Sequence, residues 1–189
     1  YDPASNNWST SNTGGGANTL VARDGPKLMV LNPGGGSPTQ VLITGGMRAQ
    51  TGLLFSTAVV EPTACILSIP DGLPPAIGAA IPMSTPRHGH ALVKLANNDI
   101  LLLGGATVGS ESLGFTMTAT IDSYIFASQT FALESGQLLQ AKGGMPAVLV
   151  NSGGTPKVLL VGGDTAEGPS GIYELYNPAT GATDVGQIG

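Results

Sequence analysis

Val41-Leu42-Ile43-Thr44-Gly45-Gly46, Ile100-Leu101-Leu102-Leu103-Gly104-Gly105 and Val158-Leu159-Leu160-Val161-Gly162-Gly163 are three versions of one phrase: a short apolar run closed by a glycine pair. The first glycines stand 59 (104 − 45) and 58 (162 − 104) residues apart. A fixed period of that length marks stacked supersecondary units, none of which buries its own faces alone. A second marker keeps the same phase. Tyr1 to Trp8, Tyr124 to Phe131 and Tyr176 to Thr183 align as a tyrosine, a turn and an aromatic slot, the last of them filled by threonine. Tyr1 and Tyr176 lie three periods of about 58 residues apart. The missing copy falls near Cys65 to Gly72, where the tyrosine is absent but a Pro70-Asp71-Gly72 turn remains.

Each repeat offers apolar stretches of strand length bounded by Gly, Pro, Asn and Ser. In the middle repeat they fall at about 88–95, 99–104, 119–127 and 130–139. The spacing predicts inner strands at about 27–32, 40–45, 88–95, 99–104, 147–151 and 157–162. No long window has helical periodicity. Four antiparallel strands repeated radially make a β-propeller blade. The inner strands read as continuous apolar runs because a blade has two faces to cover.

These residues resemble the kelch repeat. Arg87-His88-Gly89-His90-Ala91-Leu92, followed by Asp99 to Gly105, fits its Arg-x-x-His strand and glycine-closed strand. Tyr173 to Gly181 looks like the long, Thr/Gly-rich kelch repeats of bacterial surface and secreted proteins. The resemblance implies structural roles for Gly45, Gly46, Gly104, Gly105, Gly162 and Gly163, for Tyr1, Trp8, Tyr124, Phe131 and Tyr176, and for Arg87 and His90. Only the middle repeat keeps both Arg and His by this reading. The fold expected is an all-β, kelch-like β-propeller of about three four-stranded antiparallel blades in an incomplete ring. Residues 1–26 read as the end of a preceding blade with its linker, and 27–83, 84–142 and 143–189 as blades. Propellers close with four to eight blades. The expectation is therefore a fragment of a longer polypeptide, or a partner in an assembly that completes the ring, a symmetric dimer of three-bladed halves included.

Charged residues are 10% of the chain, against roughly 25% in ordinary soluble domains. A surface so poor in charge is covered by Ser, Thr, Asn and Gly or buried against protein. The net charge of −5, with Lys27, Lys94, Lys142 and Lys157 scattered, excludes a nucleic-acid footprint. No apolar run is long enough to span a bilayer. Cys65, the single cysteine, reads as a small buried hydrophobe.

His88 and His90, two apart on a strand, would share a face and could meet a metal together. Fungal copper-radical oxidases of the galactose-oxidase kind are similar in using kelch-like propellers, but their chemistry needs tyrosines and a cysteine as well, and His90 already fills a structural slot. Glu61, Glu111, Glu134, Glu167 and Glu174 could supply a hydrolase's carboxylate pair, though their spacing pairs no two. The reading is a non-enzymatic scaffold, with no catalytic residue, metal or cofactor. Its expected partner is a protein, a glycan or further blades of the same polypeptide, in an extracellular or cell-surface setting. The alternative is the propeller portion of a secreted copper oxidase or glycan-active hydrolase. The contact surface is expected on the loops after the glycine pairs, Met47 to Pro62 and Ala106 to Thr118, with Arg48 and Glu111 as polar anchors.

Overall fold

A computed structural model describes residues 23–32, 38–49, 58–110 and 114–188. Tyr1, Trp8 and Glu111 lie outside them. The first repeat runs β1 (Lys27–Val30), β2 (Thr39–Thr44), β3 (Met47–Ala49), β4 (Ala58–Val60), β5 (Thr63–Ile69), β6 (Ala76–Ile77) and β7 (Ile81–Pro82). The second runs β8 (Ala91–Lys94), β9 (Ile100–Leu103), β10 (Ala106–Ser110), β11 (Gly114–Met117), β12 (Thr120–Ile125) and β13 (Thr130–Gln137). The third runs β14 (Ala147–Ser152), β15 (Thr155–Val161), β16 (Asp164–Thr165), β17 (Gly168–Pro169), β18 (Ile172–Tyr176) and β19 (Thr183–Gln187). Among the described residues there is no helix, hence none that is long and apolar enough to cross a membrane.

Three antiparallel sheets result, ordered β1-β2-β5-β6, β8-β9-β12-β13 and β14-β15-β18-β19. In the first sheet the fourth position is shared, because β7 also pairs with β5. Pro70, Pro74 and Pro75 cannot donate to a ladder and precede β6, and Gly78-Ala79-Ala80 separate it from β7. The strands β1 and β14 both lie against β8, so the first strands form the inner side of an open ring of blades.

The second strands decide the packing. Residues Ile100 to Leu103 of β9 are all at most 1% exposed. Their side chains alternate between two inter-blade cores. Ile100 and Leu102 join Leu42 and Ile66 of the first blade, with Tyr124. Leu101 and Leu103 join Val158, Leu160 and Tyr176 of the third, with Ile121. Each such side chain removed from water contributes roughly 1.5–3 kcal/mol. Of the aromatic markers, Tyr124, Phe131 and Tyr176 sit in these cores between blades. Tyr124 is fully buried and its ring meets Phe131 at 5.3 Å.

The glycine pairs mark where blades touch. Their φ values repeat as +55° and +96°, +60° and +99°, and +62° and +99°. A Cβ on Gly45 would collide with the Arg87 carbonyl, and one on Gly104 with the Lys142 carbonyl. The second glycine of each pair uses that proximity: Gly46 N donates to Arg87 O at 3.0 Å and Gly105 N to Lys142 O at 2.8 Å. Glycine is required for both the left-handed backbone and the absent side chain.

Candidate functional site

Before each first strand runs a lead-in loop of one design: a cation, any residue, then a glycine. The three copies are Arg23-Asp24-Gly25, Arg87-His88-Gly89 and Lys142-Gly143-Gly144. The middle residue of each bridges to the residue just after the glycine pair, as Asp24 to Met47, His88 to Ala106 and Gly143 to Asp164. The glycines at 25, 89 and 144 have φ of +60°, +65° and +69°. Every repeat therefore carries a lead-in cation, where the sequence pattern located an Arg–His pair only in the middle one. Lys142 is fully buried.

The cations pin the sheets. Arg87 Nη1 donates to Gly104 O at 2.7 Å and Thr120 O at 3.1 Å, and Nη2 pairs with Asp122 Oδ1 at 2.9 Å. Both side chains are wholly buried. Asp122 also accepts from Thr85 N at 2.8 Å and Thr85 Oγ1 at 3.1 Å. Burial pulls the Arg87 pKa below its ordinary value, and the Asp122 charge opposes that shift. In the third blade Lys142 Nζ lies 2.8 Å from Glu174 Oε1, and Glu174 Oε2 accepts from Leu139 N at 2.7 Å. In the first blade Arg23 Nη1 donates to Gly45 O at 3.2 Å and Thr63 O at 2.9 Å, the counterparts of Gly104 O and Thr120 O. Cys65 pairs with Ile43 as Asp122 pairs with Leu102 and Glu174 with Leu160, so the thiol occupies the acid's slot. It is buried, and burial raises its pKa, with Arg23 acting in the opposite sense.

The two histidines do not share a strand face. The strand begins at Ala91, and Gly89 between them is left-handed, which breaks the two-residue alternation. His90 Nε2 shares a 2.8 Å hydrogen bond with Thr44 Oγ1 of the first blade, a contact between blades. Burial, then the Arg87 charge, holds its pKa well below the ordinary value, so the ring is neutral at pH 7. The His88 ring instead meets Phe115 at 5.8 Å, beside Gly25. Its pKa is lowered mainly by burial. Among the described residues no three His, Cys, Asp or Glu side chains gather to hold a metal.

What remains for recognition stands on one side of the ring. Each second strand ends at its glycine pair, and the chain then rises into a hairpin: β3–β4, β10–β11 and β16–β17. Among the described residues the two long post-glycine segments expected as loops carry paired strands, 47–49 with 58–60 and 106–110 with 114–117, and β4 lies against β10. Arg48 sits on β3 with its side chain 45% exposed, but Nε is held 3.1 Å from the buried Glu61 carboxylate. Glu61 in turn accepts from Thr63 N at 3.1 Å. Of the five glutamates, Glu61 and Glu174 are therefore each engaged by a cation, in different blades. Phe115, near the turn end of β10–β11, and His88 add a half-buried aromatic contact.

Three antiparallel blades set side by side, joined through their second strands and lead-in loops, define an open β-propeller arrangement. No protein-family model matches the chain, and no curated protein does. The fold recurs in 120 solved chains. One of these is YjhT, to which the chain is similar with a TM-score of 0.63 and 17% identity, over 99% of this chain and 51% of YjhT. The chain thus spans about half the length of that structure, and the likeness is one of fold.

Proposed function

We propose that this chain is a kelch-type propeller scaffold that binds a protein or glycan through its hairpin side, outside the cell or within a larger surface assembly. One observation carries the reading. The buried ionisable side chains of the blades are spent on holding sheets together, as in Arg87 with Asp122, Lys142 with Glu174 and His90 with Thr44. The hairpins that follow the glycine pairs leave the ring on one side, and two of them stand in contact. A rigid frame with adjacent ribbons is a scaffold for recognition. Their Thr, Ser and Gly content and few charges suit hydroxyl-rich or neutral partners better than acid–base chemistry. The low overall charge fits a Ser/Thr/Gly-covered surface of the kind the kelch resemblance associates with secreted proteins.

Immobilised protein probed with a panel of neutral and acidic oligosaccharides, and with extracellular protein extract, tests the reading. A variant with residues 107–116 replaced by a short Gly-Ser turn is run beside it. Saturable binding that disappears in the variant, with the β circular-dichroism signal unchanged, supports hairpin recognition. Binding that survives the replacement refutes it, as does catalytic turnover of an alcohol or glycoside by the unaltered protein.

A further inference from the structure

We propose that the boundary between the first and second blades is an acid-operated clasp, loosened when His90 takes up a proton, while the matching boundary between the second and third blades stays shut. The two boundaries are built alike. At both, the second glycine of a pair donates to the lead-in carbonyl of the next blade, Gly46 N to Arg87 O and Gly105 N to Lys142 O. At both, the residue after the lead-in triplet presses on the first glycine. A Cβ on Gly45 would stand 3.0 Å from His90 Cε1, and one on Gly104 2.8 Å from Met145 Cε.

One pair of side chains separates them. The residue before the first glycine is Thr44 at the first boundary and Leu103 at the second. All four side chains are buried. Thr44 Oγ1 and His90 Nε2 share a 2.8 Å hydrogen bond. Leu103 and Met145 belong instead to one apolar core. The same slot thus holds a titratable polar pair in one place and a pair that cannot titrate in the other.

His90 has no place for a second proton. The imidazolium carries an N–H on each ring nitrogen. His90 Nδ1 is buried and has no hydrogen-bond partner. The charges that act on the ring are all positive: Arg87 and His88 on its own lead-in loop, and Lys27 of β1 on the facing blade. Arg23, also of the first blade, bonds Gly45 O beside it. Of the nearby acids, Asp122 is paired with Arg87, and Asp24 acts on His88. The adjoining strands β2 and β9 carry no charged residue. Burial first, and then these cations, hold the ring neutral. A proton is therefore accepted only as the boundary parts and water enters. Across that boundary β4 of the first blade lies against β10 of the second, so its loosening also separates the two hairpins.

Thiol labelling of the full chain tests this. With Cys65 replaced by alanine, Leu42→Cys places one thiol in the core of the first boundary, and Leu101→Cys places one in the core of the second. Both positions lie three residues before a first glycine (45 − 42, 104 − 101) and are at most 1% exposed. Each is labelled with dithiodipyridine, which reacts in mild acid, and each rate is divided by that of the urea-unfolded chain at the same pH. From pH 7.5 to 5.5 the relative rate at Leu42→Cys should rise, by up to about tenfold per pH unit below pH 6.5, the linkage of one proton. The rate at Leu101→Cys should stay level. An equal rise at both positions, or none at Leu42→Cys, overturns the clasp. Adding Thr44→Leu/His90→Met to Leu42→Cys puts the second boundary's pair into the first and should shrink the rise. His88 remains in that variant, so the loss belongs to His90, and a rise that persists undiminished also overturns the assignment. His90→Gln, which keeps a donor for Thr44 without the titration, serves if the exchanged pair fails to fold.

Discussion

Replacing Arg87 by lysine keeps the buried charge and removes the fork. The guanidinium satisfies Gly104 O and Thr120 O through one nitrogen while a second nitrogen meets Asp122. An ammonium on a straight stem has one donor centre and cannot serve these groups together. Two buried acceptors lose a good donor, each at about 1–3 kcal/mol, so Arg87→Lys should cost about 2–6 kcal/mol. Asp122→Glu alone overfills the same site, at about 1–3 kcal/mol. The third blade already joins lysine to the longer acid, Lys142 to Glu174, at 2.8 Å. The double variant Arg87→Lys/Asp122→Glu should therefore recover about 0.5–3 kcal/mol relative to the sum of the singles. Urea unfolding of the four proteins at pH 7, one concentration throughout, measures that coupling. Additivity to within about 0.5 kcal/mol would show that the two pairs are not interchangeable solutions of one slot, and the equivalence drawn between blades would fail.

Cys65→Asp should be tolerated with a loss under about 2 kcal/mol, because Arg23 acts on that position, whereas the same change with Arg23→Met should lose about 3–5 kcal/mol as an unpaired buried charge; equal losses in the two backgrounds would refute the slot assignment. Acidification should destabilise the fold before the carboxylates titrate. The unfolded histidines take protons near pH 6.5, while folded His90 and His88, with lowered pKa values, resist them. The contribution is fully present above that pH and is lost as pH falls below it, by up to about 1.4 kcal/mol per pH unit for each histidine. Urea midpoints at pH 7.5, 6.5 and 5.5 read the slope, and His90→Gln should reduce it; an unchanged slope counts against a neutral, buried His90. Leu102→Ala, fully buried between blades, should cost about 2–5 kcal/mol, whereas Leu133→Ala on the exposed β13 should cost under about 0.5 kcal/mol in the same titration.

The glycine period made the blade number and the second strands legible, since β2, β9 and β15 fall within about two residues of the apolar runs that announce them. Tyr124 and Tyr176 were legible for the same reason, because an aromatic recurring in phase has a fixed place between sheets. Arg87 was legible from its Arg-x-x-His pattern, but the lead-in cations of the first and third repeats were hidden by spacing. Arg23, Arg87 and Lys142 precede their glycine pairs by 22, 17 and 20 residues (45 − 23, 104 − 87, 162 − 142), so the intervening turn lengths blur the phase. The cation-x-glycine triplet was the signal that could have exposed them. Cys65 was read correctly as buried, but its place in an acid's slot depends on strand register, which sequence alone does not supply. The sequence predicts loops where the hairpins stand, because Gly, Ser and Thr interrupt the apolar alternation that marks a strand. Counting two residues along a strand places His88 and His90 on a common face, and a single left-handed glycine between them removes it.

The amides of Gly46 and Gly105 point across a boundary instead of along a sheet, each bonded to a carbonyl of the following blade. Their solvent exchange should therefore report the parting of neighbouring blades, whereas amides inside β9 or β15 report the melting of a sheet. Gly163 has the same backbone geometry, at φ +99°, but donates to no carbonyl among the described residues, so it is the reference for an open boundary and should exchange ahead of Gly46 and Gly105.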